Sequence, residues 1–378
     1  MKQNPLNMMP NNEIKLLHAA DLHLDSPFEG LGAKKAAQRR AEQRQLLYGI
    51  ANLAKSEGVQ MILLAGDLLD SDSAYAETAE DIAQAFGGLG IPVIISPGNH
   101  DFYSERSPYA RVRFPENIHI FKSPVPESIT PIQGVRVWGA AFCDRYSGGM
   151  LHGFQPQKVD GVRDIMCIHG QVDAASAYDP ITEAEIAASG MDYIALGHVH
   201  SGSGLRKAGS TYYAWPGCPE GRGFDETGDK QVYIVTLGSG CDIKSVSIAY
   251  RRYEILTVDL NSGDALADIE SALPQGTEND IYRIILRGET AAAPDLGVIE
   301  NALAGKFFAL QLRDETRLRR DVWESAGEDD LRGQFLIRLK KMYDTAKTPE
   351  ERERITQAAR WGLAALNNRE EVVSHGDK

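Results

Sequence analysis

The sequence IKLLHAADLH, residues 14–23, joins a predicted strand to two residues of types that commonly bind metal ions. The first seven residues are mostly apolar, which is typical of a buried strand. Asp21 and His23 follow that strand directly. The same arrangement recurs in MILLAGD at residues 61–67 and in PVIISPGNHD at residues 92–101. In each case an apolar strand ends in a turn that carries Asp, Asn or His.

Amphipathic helices are predicted between these strands, over residues 34–56 and 74–86. Strands that alternate with helices predict a parallel sheet covered by helices, and therefore an α/β fold. Later strands are predicted at residues 164–168, 193–196, 211–215, 231–237 and 243–250. The last three follow one another without helices between them, which predicts an antiparallel or mixed second sheet.

The pattern changes after about residue 252, where strands and helices alternate without metal-ligand residues, and only helices are predicted near the end. We expect three parts: a main domain over residues 1–252, a small α+β capping domain over residues 253–322 and a C-terminal helical segment over residues 323–378. The two tail helices carry apolar stripes, which are Leu331, Phe335, Leu339 and Met342 in one and Ile355, Ala359, Leu363 and Leu366 in the other. Such stripes either close on the protein itself or accept a partner helix.

Composition limits the class of protein. Of the 378 residues, 43% are apolar and 25% are charged, as in ordinary globular proteins. The four cysteines stand far apart, and the first residues lack the apolar core of a signal peptide, which together predict a cytoplasmic protein. No apolar run approaches the ~20 residues of a membrane span. The net charge of −13 disfavours non-specific coating of nucleic acid.

Two further strands end in histidines, at His169-Gly170 and at Gly197-His198-Val199-His200. A single Asp-x-His is more often a turn than a ligand pair, but five such segments at strand ends predict one shared site. A carboxylate can bridge two divalent ions, and mixed imidazole and carboxylate ligands suit Mn, Fe or Zn. We therefore expect a metal centre.

The order D-x-H, G-D, G-N-H-D, H-G and G-H-x-H, over roughly residues 14–200, resembles that of the calcineurin-like metallophosphoesterases. Within that superfamily, HAADLHLDSPF at residues 18–28 resembles the SbcD-like bacterial DNA repair exonucleases, especially the YhaO-type branch. The resemblance implies a four-layer αββα sandwich of two mixed sheets. A small capping domain and a helical tail also agree with that architecture.

The resemblance implies two divalent metal ions, with manganese preferred and iron, cobalt or zinc as alternatives. The ligands implied for one ion are Asp21, His23 and His200. The ligands implied for the other ion are Asn99, His169 and His198. Asp67 would bridge the two ions, and a water activated by both would attack phosphorus. His100 resembles the non-ligand histidine of the family, which acts as general acid, and Asp101 is expected to orient it. Arg222, in a turn-rich loop, is a weaker candidate for contact with a phosphate.

Three functions compete at this point. The first is a Mn-dependent DNA exonuclease or endonuclease component in DNA repair, with its tail on an SbcC-like coiled-coil ATPase. The second is a small-molecule phosphodiesterase or phosphomonoesterase, which the negative charge favours. The third is a regulatory protein with a vestigial site, which the complete ligand set disfavours. The extra domain and the helical tail favour the nuclease. Whether the protein forms a homodimer is left open by the sequence.

Overall fold

The structure of the protein is a computed structural model. It describes residues 13–71, 75–172, 176–290, 293–318, 322–323, 326–327 and 330–366. The helices are α1 (Ala33–Glu57), α2 (Ala76–Gly87), α3 (Pro108–Arg111), α4 (Glu183–Ser189), α5 (Ala265–Ala272), α6 (Leu296–Ala302), α7 (Leu331–Thr345) and α8 (Pro349–Leu366). The strands are β1 (Ile14–Ala19), β2 (Met61–Leu64), β3 (Val93–Ile95), β4 (Ile118–Ile120), β5 (Glu127–Ile132), β6 (Val135–Gly139), β7 (Arg163–His169), β8 (Gln171–Val172), β9 (Pro180–Ile181), β10 (Tyr193–Gly197), β11 (Arg206–Ala208), β12 (Thr211–Ala214), β13 (Val232–Leu237), β14 (Cys241–Val246), β15 (Tyr253–Asp259), β16 (Ile281–Arg287), β17 (Glu289–Thr290), β18 (Ala309–Asp314) and β19 (Arg317–Leu318).

The first sheet has six strands in the order β14-β13-β1-β2-β3-β4. Strands β1 to β4 are parallel, and β13 is antiparallel to β1. Successive side chains of a strand point to opposite faces of the sheet. Leu16 and Leu63 accordingly lie in one core cluster, and Leu17 and Ile62 lie in another. Both faces are buried, which explains the unbroken apolar runs in the sequence.

The second sheet also has six strands, in the order β11-β12-β10-β7-β6-β5. Its four central strands are parallel, and its two edge strands are antiparallel to their neighbours. Val137, Ile165 and Tyr193 of this sheet share a core cluster with Leu16 and Leu63 of the first. Because one cluster takes residues from both sheets, the sheets pack face to face.

Helices cover the outer faces of the two sheets. Leu47 of α1 and Ile82 of α2 lie in the cluster that contains Ile62 of the first sheet. Ile186 of α4 lies in a third cluster with Met166 of the second sheet. The layers therefore follow the order helix, sheet, sheet, helix. The predicted α/β fold with two mixed sheets is confirmed.

One detail of the predicted sheets is wrong. The strands after residue 211 do not stay together: β12 joins the second sheet, whereas β13 and β14 join the first. Strand β13 pairs with β1, so that Leu17 lies opposite Ile234. Pairing between residues so far apart in the chain leaves no local pattern in the sequence.

The chain divides into two compact units. The first comprises Met1–Leu256, Leu273–Ile284 and Leu303–Leu312, and the second comprises Thr257–Ala272, Ile285–Ala302 and Arg313–Lys378. Boundaries near residues 252 and 322 stay a prediction. In the second unit, Leu336 of α7 and Ala359 of α8 are buried in one cluster. No helix within the described ranges is long and apolar enough to cross a membrane.

Candidate metal centre

The two sheets bring the five predicted ligand segments to one place. Asp21 and His23 follow β1, Asp67 follows β2 and Asn99 follows β3, all in the first sheet. In the second sheet, His169 ends β7, and His198 and His200 follow β10. The carboxyl ends of parallel strands meet at one edge of a sheet, where α/β folds place their ligands. Three groups of these side chains have ligand atoms within 4.8 Å of one another, namely Asp21 with His23 and His200, His23 with Asp67 and His100, and Asp67 with His169 and His198.

Backbone strain is concentrated at these residues. Asp21, His23, Asp67 and His198 have φ values of 55°, 43°, 51° and 96°. Residues other than glycine rarely adopt positive φ, and such conformations persist only where surrounding structure enforces them. The turn after β3 requires glycine at position 98, because a Cβ there would overlap the Asp67 carboxylate. The backbone preferences of Asp and His do not explain these turns, and a role of the residues in a functional site explains them better.

Asp67 lies at the centre of the group. Its Oδ2 atom is 3.3 Å from His169 Nε2 and 3.7 Å from His23 Nε2. Its Oδ1 atom accepts a hydrogen bond of 2.9 Å from the backbone N–H of His100. One oxygen is therefore held by the chain, while the other points between two imidazole nitrogens. This is the arrangement that a bridging carboxylate needs.

The first ligand cluster consists of Asp21, His23 and His200. The Nε2 atoms of His23 and His200 are 3.3 Å apart, close enough to bind one ion together. Behind them, Glu226 Oε1 lies 2.6 Å from His200 Nδ1. Asp70 Oδ1 lies 3.2 Å from His23 Nδ1, an ion-pair separation rather than an aligned hydrogen bond. Carboxylates in these positions orient a histidine and raise its basicity as a ligand.

Arg222 joins the two supporting carboxylates. It is 3.2 Å from Asp70 Oδ1 through one terminal nitrogen and 2.6 Å from Glu226 Oε1 through the other. Its side chain is only 20% exposed. Burial raises the pKa of Glu226, but contacts with His200 and Arg222 outweigh burial and hold that pKa far below its usual value. The structure thus places Arg222 behind the ligands, and contact with a phosphate stays a prediction.

The second ligand cluster consists of Asn99, His169 and His198. Asn99 Oδ1 lies 3.1 Å from His169 Nε2 and 3.2 Å from His198 Nδ1. His169 Nδ1 donates to the carbonyl oxygen of Ala65 at 2.9 Å. Because a carbonyl can only accept, the proton of neutral His169 sits on Nδ1, and Nε2 is free to bind a metal. This cluster carries no charged ligand except Asp67, which it shares with the first.

The ionisation of the buried ligands suits a cation. Burial raises the pKa of Asp21 to about 6 and lowers that of His23 to about 4. Burial also lowers the pKa of His169, but the Asp67 and Asp21 carboxylates outweigh it and raise it to about 9. Without a metal ion, the buried carboxylates therefore favour the protonated, positively charged form of His169. A bound metal ion would supply positive charge at the same place. The donor set, with two carboxylates, one amide oxygen and four imidazoles, fits a pair of divalent ions.

His100 and Asp101 are adjacent in sequence but have separate surroundings. His100 is exposed; its Nδ1 lies 3.1 Å from the carbonyl oxygen of Asp70, and its ring centroid is 4.8 Å from that of His23. Asp101 is buried and accepts hydrogen bonds from the backbone N–H groups of Asp67, Leu68, Leu69 and Gly98 and from the Tyr109 hydroxyl. Asp101 therefore holds the turn that carries Asp67, where we expected it to orient the His100 ring.

Sequence reasoning missed Asp70, Glu226 and the supporting role of Arg222. The sequence did offer a pattern that points to Asp70, because Asp70 follows the predicted ligand Asp67 by only three residues. No pattern in the sequence pointed to Glu226, because its contact with His200 depends on how the loop after β12 folds back. Carboxylates that support ligands are common in loops, and only geometry separates them from ordinary surface charges.

Residues 14–202 match the model of the calcineurin-like phosphoesterase family, which covers half of the chain. The chain belongs to this family. The match contains all seven predicted metal ligands and ends just beyond His200. The family resemblance read from the five motifs is confirmed.

Three relatives show the range of similarity. A protein named as an uncharacterized metallophosphoesterase YhaO of Bacillus subtilis is 32% identical, with 84% of this chain and 82% of that protein covered. The double-strand break repair protein Mre11 of Aeropyrum pernix is 25% identical, with 67% of this chain and 65% of that protein covered. A component of the nuclease SbcCD from Bacillus subtilis is 23% identical, with 71% of this chain and 78% of that protein covered.

Proposed function

We propose that this metallophosphoesterase is a Mn-dependent phosphodiesterase that cleaves DNA in repair, as an exonuclease or endonuclease. The observation that carries the proposal is Asp67 Oδ2, which lies 3.7 Å from His23 Nε2 and 3.3 Å from His169 Nε2 and so would offer two ions a common ligand. Relatives named as a break repair protein and as part of a nuclease support DNA as the substrate. A cytoplasmic location stays a prediction.

The proposed roles follow the geometry of the two clusters. Asp21, His23 and His200 would hold one ion, Asn99, His169 and His198 the other, and Asp67 would contact both. A pair of divalent ions held by these residues would polarise a phosphate and lower the pKa of a bound water. His100 would donate a proton to the leaving oxygen from Nε2, because its Nδ1 already faces the Asp70 carbonyl.

The C-terminal helices support a partner. Leu331 and Met342 of α7 are 72% and 56% exposed, and Trp361 of α8 is 50% exposed, although each is large and apolar. Contiguous apolar patches at a surface mark interaction sites, and we infer that these side chains contribute to one. We propose an SbcC-like coiled-coil ATPase as the partner that these helices bind.

A direct assay tests the substrate. Purified protein with Mn²⁺ is offered labelled single-stranded DNA, labelled duplex DNA, bis(p-nitrophenyl) phosphate and p-nitrophenyl phosphate. We expect cleavage of DNA and of the diester, with less activity in Mg²⁺ because imidazole-rich sites suit Mg²⁺ poorly. Hydrolysis of the small esters without cleavage of DNA would favour the small-molecule phosphodiesterase or phosphomonoesterase, which the net charge of −13 also favours.

A further inference from the structure

Beside the second ligand cluster, three aromatic rings lie in contact one after another. The Tyr178 ring is 5.4 Å from the His198 ring, with 36° between their planes. The Tyr146 ring is 5.6 Å from the Tyr178 ring, with 32° between their planes. Both separations lie within the range of attractive aromatic pairs. The row therefore begins at a proposed metal ligand and extends away from it.

Packing explains one tyrosine of the pair but not the other. Tyr178 is partly buried against the core cluster that contains Ile168 and Leu196, so covering apolar surface accounts for it. Tyr146 is 59% exposed and is absent from that cluster. A large exposed aromatic ring that is separated by one ring from the predicted ligand His198 is a surface that a ligand ring can cover.

The two backbone segments that carry these rings are hydrogen-bonded to each other. Ser147 and Tyr178 form a parallel β-bridge, with hydrogen bonds from Ser147 N–H to Ala177 O at 3.0 Å and from Asp179 N–H to Ser147 O at 3.1 Å. Gln171 N–H donates to Asp179 O at 3.2 Å, two residues after the ligand His169. The segment that carries Tyr178 is thus tied to the strand that ends in His169.

From this arrangement we propose that Tyr146 and Tyr178 form a platform on which a nucleobase of the substrate stacks. The inference rests on the proposed function, because the platform flanks the same metal centre. Bases stack on aromatic side chains with little regard to sequence, since every base has a π-face. The platform would thus select nucleotides over phosphodiesters without a base, and it would do so without a sequence preference.

The test measures what the base contributes to binding. Mn²⁺-loaded protein is titrated calorimetrically with deoxyadenosine monophosphate and with 2-deoxyribose 5-phosphate, which lacks the base. For the wild type we expect the nucleotide to bind about tenfold or more tightly than the sugar phosphate, the usual range for one stacked base. For Tyr146→Ala we expect this ratio to fall to near one, while sugar phosphate affinity and manganese content stay unchanged.

Two variants are controls: one removes only the hydroxyl of Tyr146, and the other removes an exposed tyrosine elsewhere. Tyr146→Phe keeps the ring, so the ratio should be retained. Tyr250→Ala removes another exposed tyrosine, 50% exposed, outside the row of rings, and should also retain the ratio. A wild-type ratio near one, or a ratio that survives Tyr146→Ala, would overturn the platform.

The binding ratio and the cleavage assay separate the two proposals. A protein that cleaves no DNA but loses its nucleotide preference in Tyr146→Ala refutes the nuclease and supports the platform. A protein that cleaves DNA but binds both phosphates equally refutes the platform and supports the nuclease.

Discussion

The first ligand cluster is supported by charged side chains, whereas the second is supported by a backbone carbonyl. His23 and His200 have Asp70 and Glu226 behind them, and Arg222 holds both carboxylates. In the second cluster, the carbonyl oxygen of Ala65 accepts from His169, and the Asn99 amide faces both histidines. Asp67 contributes negative charge to both clusters, but the supporting carboxylates Asp70 and Glu226 add negative charge behind the first cluster. We therefore expect the first ion to bind more tightly and the second to exchange more readily.

The largest effect should come from the residue that the clusters share. Asp67→Asn removes the negative charge between the ions, so we expect both sites to lose affinity and activity to fall below detection. Metal content by atomic absorption and diester hydrolysis measure the two effects. Asp160→Asn, an exposed carboxylate in a loop, is the matched control and should change neither. Retention of two ions in Asp67→Asn would show that the clusters do not depend on a common ligand.

His100 belongs to neither ligand cluster, so its substitution should lower kcat without lowering the affinity for metal ions. We expect His100→Ala to keep both ions and to lose about 10²- to 10⁴-fold in kcat, as for a removed general acid. His152→Ala, in which the lost side chain is 87% exposed, should keep full activity. Loss of metal from His100→Ala would make His100 a ligand instead.

Glu226→Gln tests the difference between the clusters directly. It removes the charge behind His200 but leaves the second cluster intact, so only the tighter manganese site should weaken, by about 10- to 100-fold. Calorimetric titration with Mn²⁺ resolves the two sites. Glu185→Gln is the control, because Glu185 Oε1 contacts His152 Nδ1 at 3.3 Å and Glu185 belongs to neither ligand cluster. Equal weakening of both sites would contradict the proposed division.

The smallest effect on chemistry should come from the C-terminal helices, which contain no proposed ligand. Trp361→Glu places a charge on the exposed apolar surface of α8, so we expect diester hydrolysis to be unchanged and co-purification with a coiled-coil ATPase to be lost. Val298→Glu, at a 64% exposed position of α6, should keep the ATPase bound. An ATPase that stays bound to Trp361→Glu would show that this face is not the interface.

The sequence predicted the location of the candidate metal centre better than it predicted the residues that support the ligands. The five ligand segments could be placed because each lies at the end of an apolar strand, and parallel strands end at one edge of their sheet. The resemblance to the calcineurin-like metallophosphoesterases implied which seven residues in them are ligands. The exchange of β13 and β14 into the first sheet depends on pairing across more than 200 residues, as between Leu17 and Ile234, and has no local signal. Asp101 illustrates the same limit, because three of its hydrogen-bond donors are the backbone N–H groups of Asp67, Leu68 and Leu69, more than 30 residues earlier in the chain.

The most direct test is a crystal structure of the protein with Mn²⁺, with the anomalous signal of manganese used to locate the ions. The account predicts two peaks on either side of Asp67 Oδ2, one against His23 and His200 and the other against Asn99, His169 and His198. A single peak, or two peaks that Asp67 does not connect, would contradict it.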